Sequence, residues 1–196
     1  MPLLNNLTRE IGCKIVYYGP ALSGKTTNLL YIHSQLAPAV RGELVSLATM
    51  TDRTLFFDFL PLDVGEIQGW KLKFALYTVP GQIEYAANRK LILNGADCVV
   101  YVADSDPLRR HDNKEYLQTM LGHMDEFGMT LDAVPLVLQY NKRDLVDAMS
   151  LDEMEIDCNY NGVPSFESVA TTGLGVFSTL RAVSRLMIER LTAMVS

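Results

Sequence analysis

A chain of 196 residues, 48% apolar and 20% charged, is long enough for one buried core, too short for two comfortable ones and too apolar for disorder. Its net charge of −6 gives no electrostatic reason to expect nucleic acid. The longest apolar run, residues 98–103, has the length of one buried strand and falls far short of a membrane span.

The N-terminus lacks a basic start followed by an apolar stretch, Pro2 stands where myristoylation needs glycine, and residues 192–196 hold no cysteine for prenylation. Cys13, Cys98 and Cys158 are scattered, without metal-ligand spacing, and Cys13 and Cys98 lie in apolar runs. The expectation is a reducing, cytoplasmic location without a disulfide framework or a direct membrane anchor.

In chain order, residues 13–18 read as a strand, followed by a Gly/Ser loop and a helix over about 25–36. Residues 55–60 and 72–79 read as two strands, and Asp63, Gly65 and Gly69 between them predict an antiparallel hairpin with one open face. A helix over 83–93 stops at Asn94-Gly95, and a buried strand covers 97–103. Asp112 is the expected cap of the next helix, whose Leu117, Leu121, Met124 and Phe127 follow helical spacing up to Gly128. Residues 135–140 and 166–169 complete a count of six strands, and Val176, Leu180, Val183, Met187 and Leu191 mark the final helix. Short strands alternating with helices, with no repeat or linker, predict an α/β protein with a mostly parallel sheet covered by helices.

The stretch Gly19-Pro20-Ala21-Leu22-Ser23-Gly24-Lys25-Thr26 matches GxxxxGK[ST] in full and lies between a strand and a helix. Glycine lets the backbone curl until consecutive N–H groups face phosphate oxygens, and the helix N-terminus adds its dipole. Lys25 is placed to reach the β- and γ-phosphates, and the Thr26 hydroxyl to ligate Mg²⁺. Gly19, Ala21, Leu22, Ser23, Gly24, Lys25, Thr26 and the adjacent Thr27 are therefore the phosphate-binding set.

Asn141-Lys142-Arg143-Asp144, at the end of the fifth predicted strand, decides which base is held. Only guanine presents an N1–H beside a 2-amino group, and Asp144 can accept from both; beside adenine the same carboxylate would be stranded. Asn141 is expected to tie this loop to the phosphate loop, and the Lys142 stem to lie on the base. In Ser168-Val169-Ala170-Thr171-Thr172 the Ala170 N–H either donates to the guanine O6 or belongs to a plain strand-to-helix turn.

The runs KIVYYGP, DRTLFFDFLPL, LYTVPGQ, RKLIL, NKRDL and GVFSTL resemble the bacterial MglA-type small GTPases over nearly the whole chain. The resemblance implies one G domain over residues 1–196 with a Ras-like P-loop fold: a mixed, mostly parallel six-stranded sheet, helices on both faces, and one extra strand-like element before the usual core. It implies a GTP/GDP switch that binds GTP with Mg²⁺, orders segments around 47–62 and 78–88, and controls cell polarity or surface motility through effectors. A GAP-like regulator of roadblock fold and recruitment to a cell pole by partners belong to the same implication.

The resemblance also assigns roles. Thr54 matches the first-switch threonine that senses Mg²⁺ and the γ-phosphate. Gln82, after Gly81, matches the glutamine that orients the attacking water, and Arg53 matches an arginine supplied within the chain to neutralise transition-state charge. Thr78 stands where small GTPases usually carry an aspartate near Mg²⁺, a departure the MglA type shares; Asp52, Asp58 and Asp104 are candidates for the missing carboxylate.

Two further departures stand out. Ala21 replaces a glycine, so a β-carbon points into space shared by the γ-phosphate and Gln82; either hydrolysis slows, or the methyl is accommodated by a small shift. Glu84, in Ile83-Glu84-Tyr85-Ala86-Ala87-Asn88, places an acid on the surface used by regulators. A hydrolysis-impaired scaffold that rests with GTP is the alternative to the switch, and a metabolic ATPase or kinase is disfavoured by NKRD. His33, His111 and His123 lack a second ligand at metal spacing, Met120 and Met124 read as core, residues 147–157 and Arg109-Arg110 read as solvated, and Trp70 either anchors a partner or half-buries at the sheet edge.

Overall fold

Alternation along strand β2 (Glu10–Tyr18) sets the architecture: Ile11, Cys13, Ile15 and Tyr17 face one helical layer, while Val16 and Tyr18 face the other. The computed structural model describes residues 2–47 and 57–195. Among these, strands β1 (Leu3–Asn5), β3 (Val45–Leu47), β4 (Phe57–Ile67), β5 (Trp70–Thr78), β6 (Cys98–Asp104), β7 (Leu136–Asn141) and β8 (Ser165–Glu167) join β2 in one sheet, ordered β3-β4-β5-β2-β6-β7-β8, with β1 antiparallel to the start of β2. From β5 to β8 neighbours are parallel, and β3-β4-β5 is antiparallel.

Helices α1 (Lys25–Gln35) and α5 (Val176–Val195) cover one face, and α2 (Ala86–Leu93), α3 (Arg110–Glu126) and α4 (Leu151–Cys158) the other. The Val176, Leu180, Val183, Met187 and Leu191 stripe is buried as its spacing predicts, and β6, apolar throughout except for its last residue, is buried on both sides. A buried polar trio pins α1 to the sheet: Asn28 donates to Gln139 Oε1 at 2.8 Å, and Gln139 donates to Asn28 Oδ1 and Thr179 Oγ1 at 3.0 Å each. No helix among the described residues is long and apolar enough to cross a membrane.

Several expectations are corrected. Among the described residues the strands number eight rather than six: β1 and β3 are three residues each, too short for a period to be read. The helix expected over 83–93 opens as a 3₁₀ turn (Ile83–Tyr85) before α2. Arg109, not Asp112, precedes the first turn of α3, and Asp112 lies within that turn, 2.7 Å from Arg109. The segment 147–157 is solvated on one side only: Asp147 and Asp152 are exposed, but it carries α4, opened by a Ser150–Glu153 capping box, with Met149 and Met154 in the core and Asp157 buried. Trp70 is partly buried against the core, and its chain neighbours form the β4–β5 turn through Gln68 and Gly69, both at positive φ.

Candidate nucleotide-binding site

The two diagnostic loops leave the same end of the parallel sheet, which is where open α/β sheets place their ligands. The phosphate loop follows β2 and turns at Gly19 (φ 144°) and Gly24 (φ 101°), conformations that side chains rarely adopt. A β-carbon at Gly19 would strike the Val102 carbonyl, and one at Gly24 would strike Asn141 Nδ2. Leu22 also sits at positive φ, with its side chain 84% exposed. The base loop follows β7, and Asn141 joins the two: its Nδ2 donates to the Ser23 carbonyl at 2.8 Å, while its Oδ1 accepts from Ser168 Oγ at 3.0 Å and from the Ala170 N–H at 2.9 Å. The Ala170 N–H thus holds Asn141 in place. Lys142, at φ 65°, donates to the fully buried Asp104 at 2.6 Å, and Asp144 is exposed.

Lys25 is buried at the base of the cradle and donates to the carbonyls of Gly19 at 2.9 Å and Pro20 at 2.6 Å. Burial, then the nearby Arg89 guanidinium, pushes its ammonium down to about 7, with Asp58 opposing and Arg109 adding to the fall. An ammonium has three protons, so two carbonyls leave one for a ligand. A cradle that sets Lys25 at the N-terminus of α1, with the Arg109 guanidinium nearby, favours an anion, so phosphate fits. A cavity of about 630 Å³ opens here, lined by Ala21, Leu22, Gly24, Lys25, Thr26, Thr27, Ser46, Phe57, Asp58, Thr78, Val79, Pro80, Gly81, Gln82 and Tyr85.

Register explains the group beside Thr26. Asp58 shares its strand face with Leu60 and Leu62, the face that looks toward α1, and pairs directly with Ser46 on β3. Antiparallel pairing of Phe59 with Tyr77 brings Thr78 alongside on that same face. Asp58 therefore accepts from Thr26 Oγ1 at 2.5 Å, Ser46 Oγ at 2.6 Å and Thr78 Oγ1 at 2.8 Å, while its own N–H donates to Thr78 Oγ1 at 2.8 Å. Three hydroxyls around one carboxylate form a hard oxygen set, which fits Mg²⁺. Of the three candidate acids, Asp104 is engaged by Lys142 and Asp52 lies outside the described residues. Arg53 and Thr54 also lie outside the described residues.

The second switch turn presses on the phosphate loop. A β-carbon at Gly81 would run into Ala21 Cα and N and the Pro20 carbonyl carbon, so only glycine allows this approach. Gln82 is exposed at the edge of the cavity. Arg109, expected in solvent, instead donates from Nη2 to the Ala21 carbonyl at 2.9 Å, and Arg110 binds Asp157 at 2.6 Å. Ser46, Arg89, Arg109 and Tyr116 escaped the sequence reading because no motif carries them; the shared parity of Asp58 with Leu60 and Leu62 was the one signal available for Asp58.

Comparison with known proteins agrees with this geometry. Residues 3–184 match the ADP-ribosylation factor family. The chain is 53% identical over 191 residues to the mutual gliding-motility protein MglA of Myxococcus xanthus (strain DK1622), covering 97% of this chain and 98% of that protein. The chain belongs to the ADP-ribosylation factor family and is an MglA-type, Ras-like small GTPase, which binds GTP and GDP and hydrolyses GTP.

Proposed function

We propose that residues 1–196 act as one G domain that binds GTP with Mg²⁺, hydrolyses it slowly, and controls cell polarity or surface motility through effectors that read its nucleotide state. The observation that carries this reading is the Asn141 bridge, which ties the base loop to the phosphate loop through the Ser23 carbonyl and the Ala170 N–H. The relative from Myxococcus xanthus is named for gliding motility, which supports the process assigned here.

In this reading Asp144 accepts from the guanine N1–H and 2-amino group, and the Lys142 stem covers the base. Lys25 and the N–H groups of residues 21–27 hold the phosphates. Thr26 donates its hydroxyl proton to Asp58 and keeps its lone pairs for Mg²⁺, so Asp58 supplies the carboxylate that Thr78 cannot. Thr26, oriented by Asp58, would hold Mg²⁺, which would supply positive charge beside the phosphates. Gln82 orients the attacking water, Arg53 stabilises the charge that develops on the phosphoryl oxygens, and Thr54 closes the first switch on Mg²⁺ and the γ-phosphate. A roadblock-fold regulator meets the surface that carries Glu84, and partners recruit the protein to a cell pole.

A second reading, a hydrolysis-impaired scaffold resting with GTP, draws support from the close approach of Gly81 to the Ala21 backbone, which puts residue 21 beside the turn that carries Gln82. Single-turnover hydrolysis beside GTP, GDP and ATP affinities tests both. Guanine preference with measurable turnover supports the switch, guanine preference without turnover supports the scaffold, and preference for ATP contradicts the base-loop assignment.

A further inference from the structure

The buried arginine of α2 belongs to neither the phosphate loop nor the base loop. Arg89 is 5% exposed, and among the described residues it pairs with no carboxylate. A buried cation without an acid is costly, and a leucine would fill the same space without that cost. What surrounds the guanidinium shows why a cation stands here. From Nη1 it donates to the Gln82 carbonyl at 2.5 Å and, more weakly, to the Pro80 carbonyl at 3.4 Å. It stacks on the Tyr116 ring, 4.9 Å from the centroid, an arrangement in which the ring face partly replaces a counter-ion. The Tyr116 hydroxyl in turn donates to the Gly81 carbonyl at 2.7 Å.

The stacked pair therefore grips three successive carbonyls, Pro80, Gly81 and Gln82. Its two halves come from different helices, Arg89 from α2 and Tyr116 from α3. The α3 half is fixed to the sheet: Asn113 exchanges hydrogen bonds with the Asp104 backbone at 2.8 and 2.9 Å, and the Tyr101 hydroxyl donates to the Asn113 carbonyl at 2.5 Å. On its other side the turn lies against Ala21 and Pro20 without room for a β-carbon. The backbone that carries Gln82 is thus held by the clasp behind and the phosphate loop in front.

We infer that Arg89 and Tyr116 are positioning residues for GTP hydrolysis, a clasp that places Gln82 against the phosphate loop by holding the carbonyls of Pro80, Gly81 and Gln82. This rests on the GTPase reading above. Neither residue touches the nucleotide; both act through the turn. Loss of the clasp leaves the phosphate and base loops intact and costs hydrolysis alone.

The test uses the full chain with Tyr116→Phe, which removes one hydroxyl and keeps the ring under Arg89, together with Arg89→Met and Arg89→Lys. For each, the affinities for GDP and a non-hydrolysable GTP analogue, the affinity for GDP with aluminium fluoride, and the single-turnover rate are measured. Displacement of a reacting group by about 1 Å can cost about 100-fold in rate, so Arg89→Met is expected to fall about that far and Tyr116→Phe about tenfold. Arg89→Lys recovers part of the rate. GDP and GTP-analogue affinities stay within about twofold, and the loss of affinity for GDP with aluminium fluoride tracks the loss of rate. Unchanged rates in Tyr116→Phe and Arg89→Met overturn the inference. So do equal losses of rate and of GDP affinity, which mark a merely structural role. If Arg89→Met fails to fold, Tyr116→Phe decides by the same criteria. Wild-type protein that binds guanine nucleotide without turning it over overturns the clasp as a hydrolysis device, whereas failure to bind guanine nucleotide overturns the reading beneath it.

Discussion

Replacing Asp58 by asparagine keeps the shape of the side chain and removes its charge, which separates its two roles. In the protein as described, its carboxylate accepts from Thr26, Ser46 and Thr78 at 2.5–2.8 Å. Hydrogen bonds to an ionised group are worth about 1.5–3 kcal/mol each, against about 0.5–1.5 kcal/mol for neutral pairs. Three such downgrades are partly offset because a neutral amide costs less to bury than a carboxylate at this 9%-exposed position, leaving a net loss of about 1–2 kcal/mol in stability without nucleotide. For Mg²⁺ the change is larger in consequence: removing a carboxylate that orients a metal ligand typically costs about 10–100-fold in metal affinity. The assay is nucleotide release at graded Mg²⁺, repeated in chelator. Asp58→Asn is expected to need about 10–100-fold more Mg²⁺ to slow release, and to match wild type in chelator. Equal Mg²⁺ dependence in the two proteins would refute Asp58 as the substitute carboxylate.

Three other substitutions probe separate parts of the molecule. Ala21→Gly removes the methyl next to the Gly81–Gln82 turn and is expected to raise single-turnover hydrolysis about tenfold; an unchanged rate would show that the methyl is accommodated. Asp157→Asn tests a charge that links α3 to α4: burial pulls the Asp157 carboxyl up, but Arg110 and Lys114, at 2.6 and 2.7 Å, outweigh it and hold the carboxyl below its ordinary value. A depressed carboxyl contributes stability that is full above the unfolded value of 3.8 and is lost as pH falls through the folded value. Both cations are about 44% exposed, so the loss near neutral pH is about 1 kcal/mol, and the acid limb of the Asp157→Asn stability curve flattens; superimposable acid titrations would contradict this. Gln139→Leu leaves the Asn28 Oδ1 and Thr179 Oγ1 acceptors without their buried donor and is expected to lower stability by about 2–3 kcal/mol in urea unfolding, with a change under 1 kcal/mol contradicting the role of the trio.

Sequence legibility divides along a physical line. The phosphate and base loops could be read directly, because their chemistry is written in consecutive residues whose backbone must adopt particular conformations, as Gly19 and Gly24 do. The long buried elements could be read as well: β6 is apolar from Cys98 to Ala103, and α5 carries a five-residue stripe. What escaped depends on register and on partners distant in the chain. Asp58 was one of three candidate acids until β3, β4 and β5 aligned Ser46 and Thr78 beside it. Arg89 and Tyr116 meet across 27 positions of sequence and belong to no motif, and Arg109 looked like a surface charge until it reached the Ala21 carbonyl 88 residues away. Helix α4 was hidden because its eight residues are rich in acids and offer only Met154, Asp157 and Cys158 to the interior.

Identification of the nucleotide released from freshly purified, denatured protein, followed by its single-turnover conversion with added Mg²⁺, tests the guanine-nucleotide assignment most directly. GDP, or GTP that converts to GDP, is the expected release, because the proposed base loop offers the Asp144 carboxylate to the guanine N1–H and 2-amino group. Release of adenine nucleotide, or failure to bind guanine nucleotide at all, would contradict it.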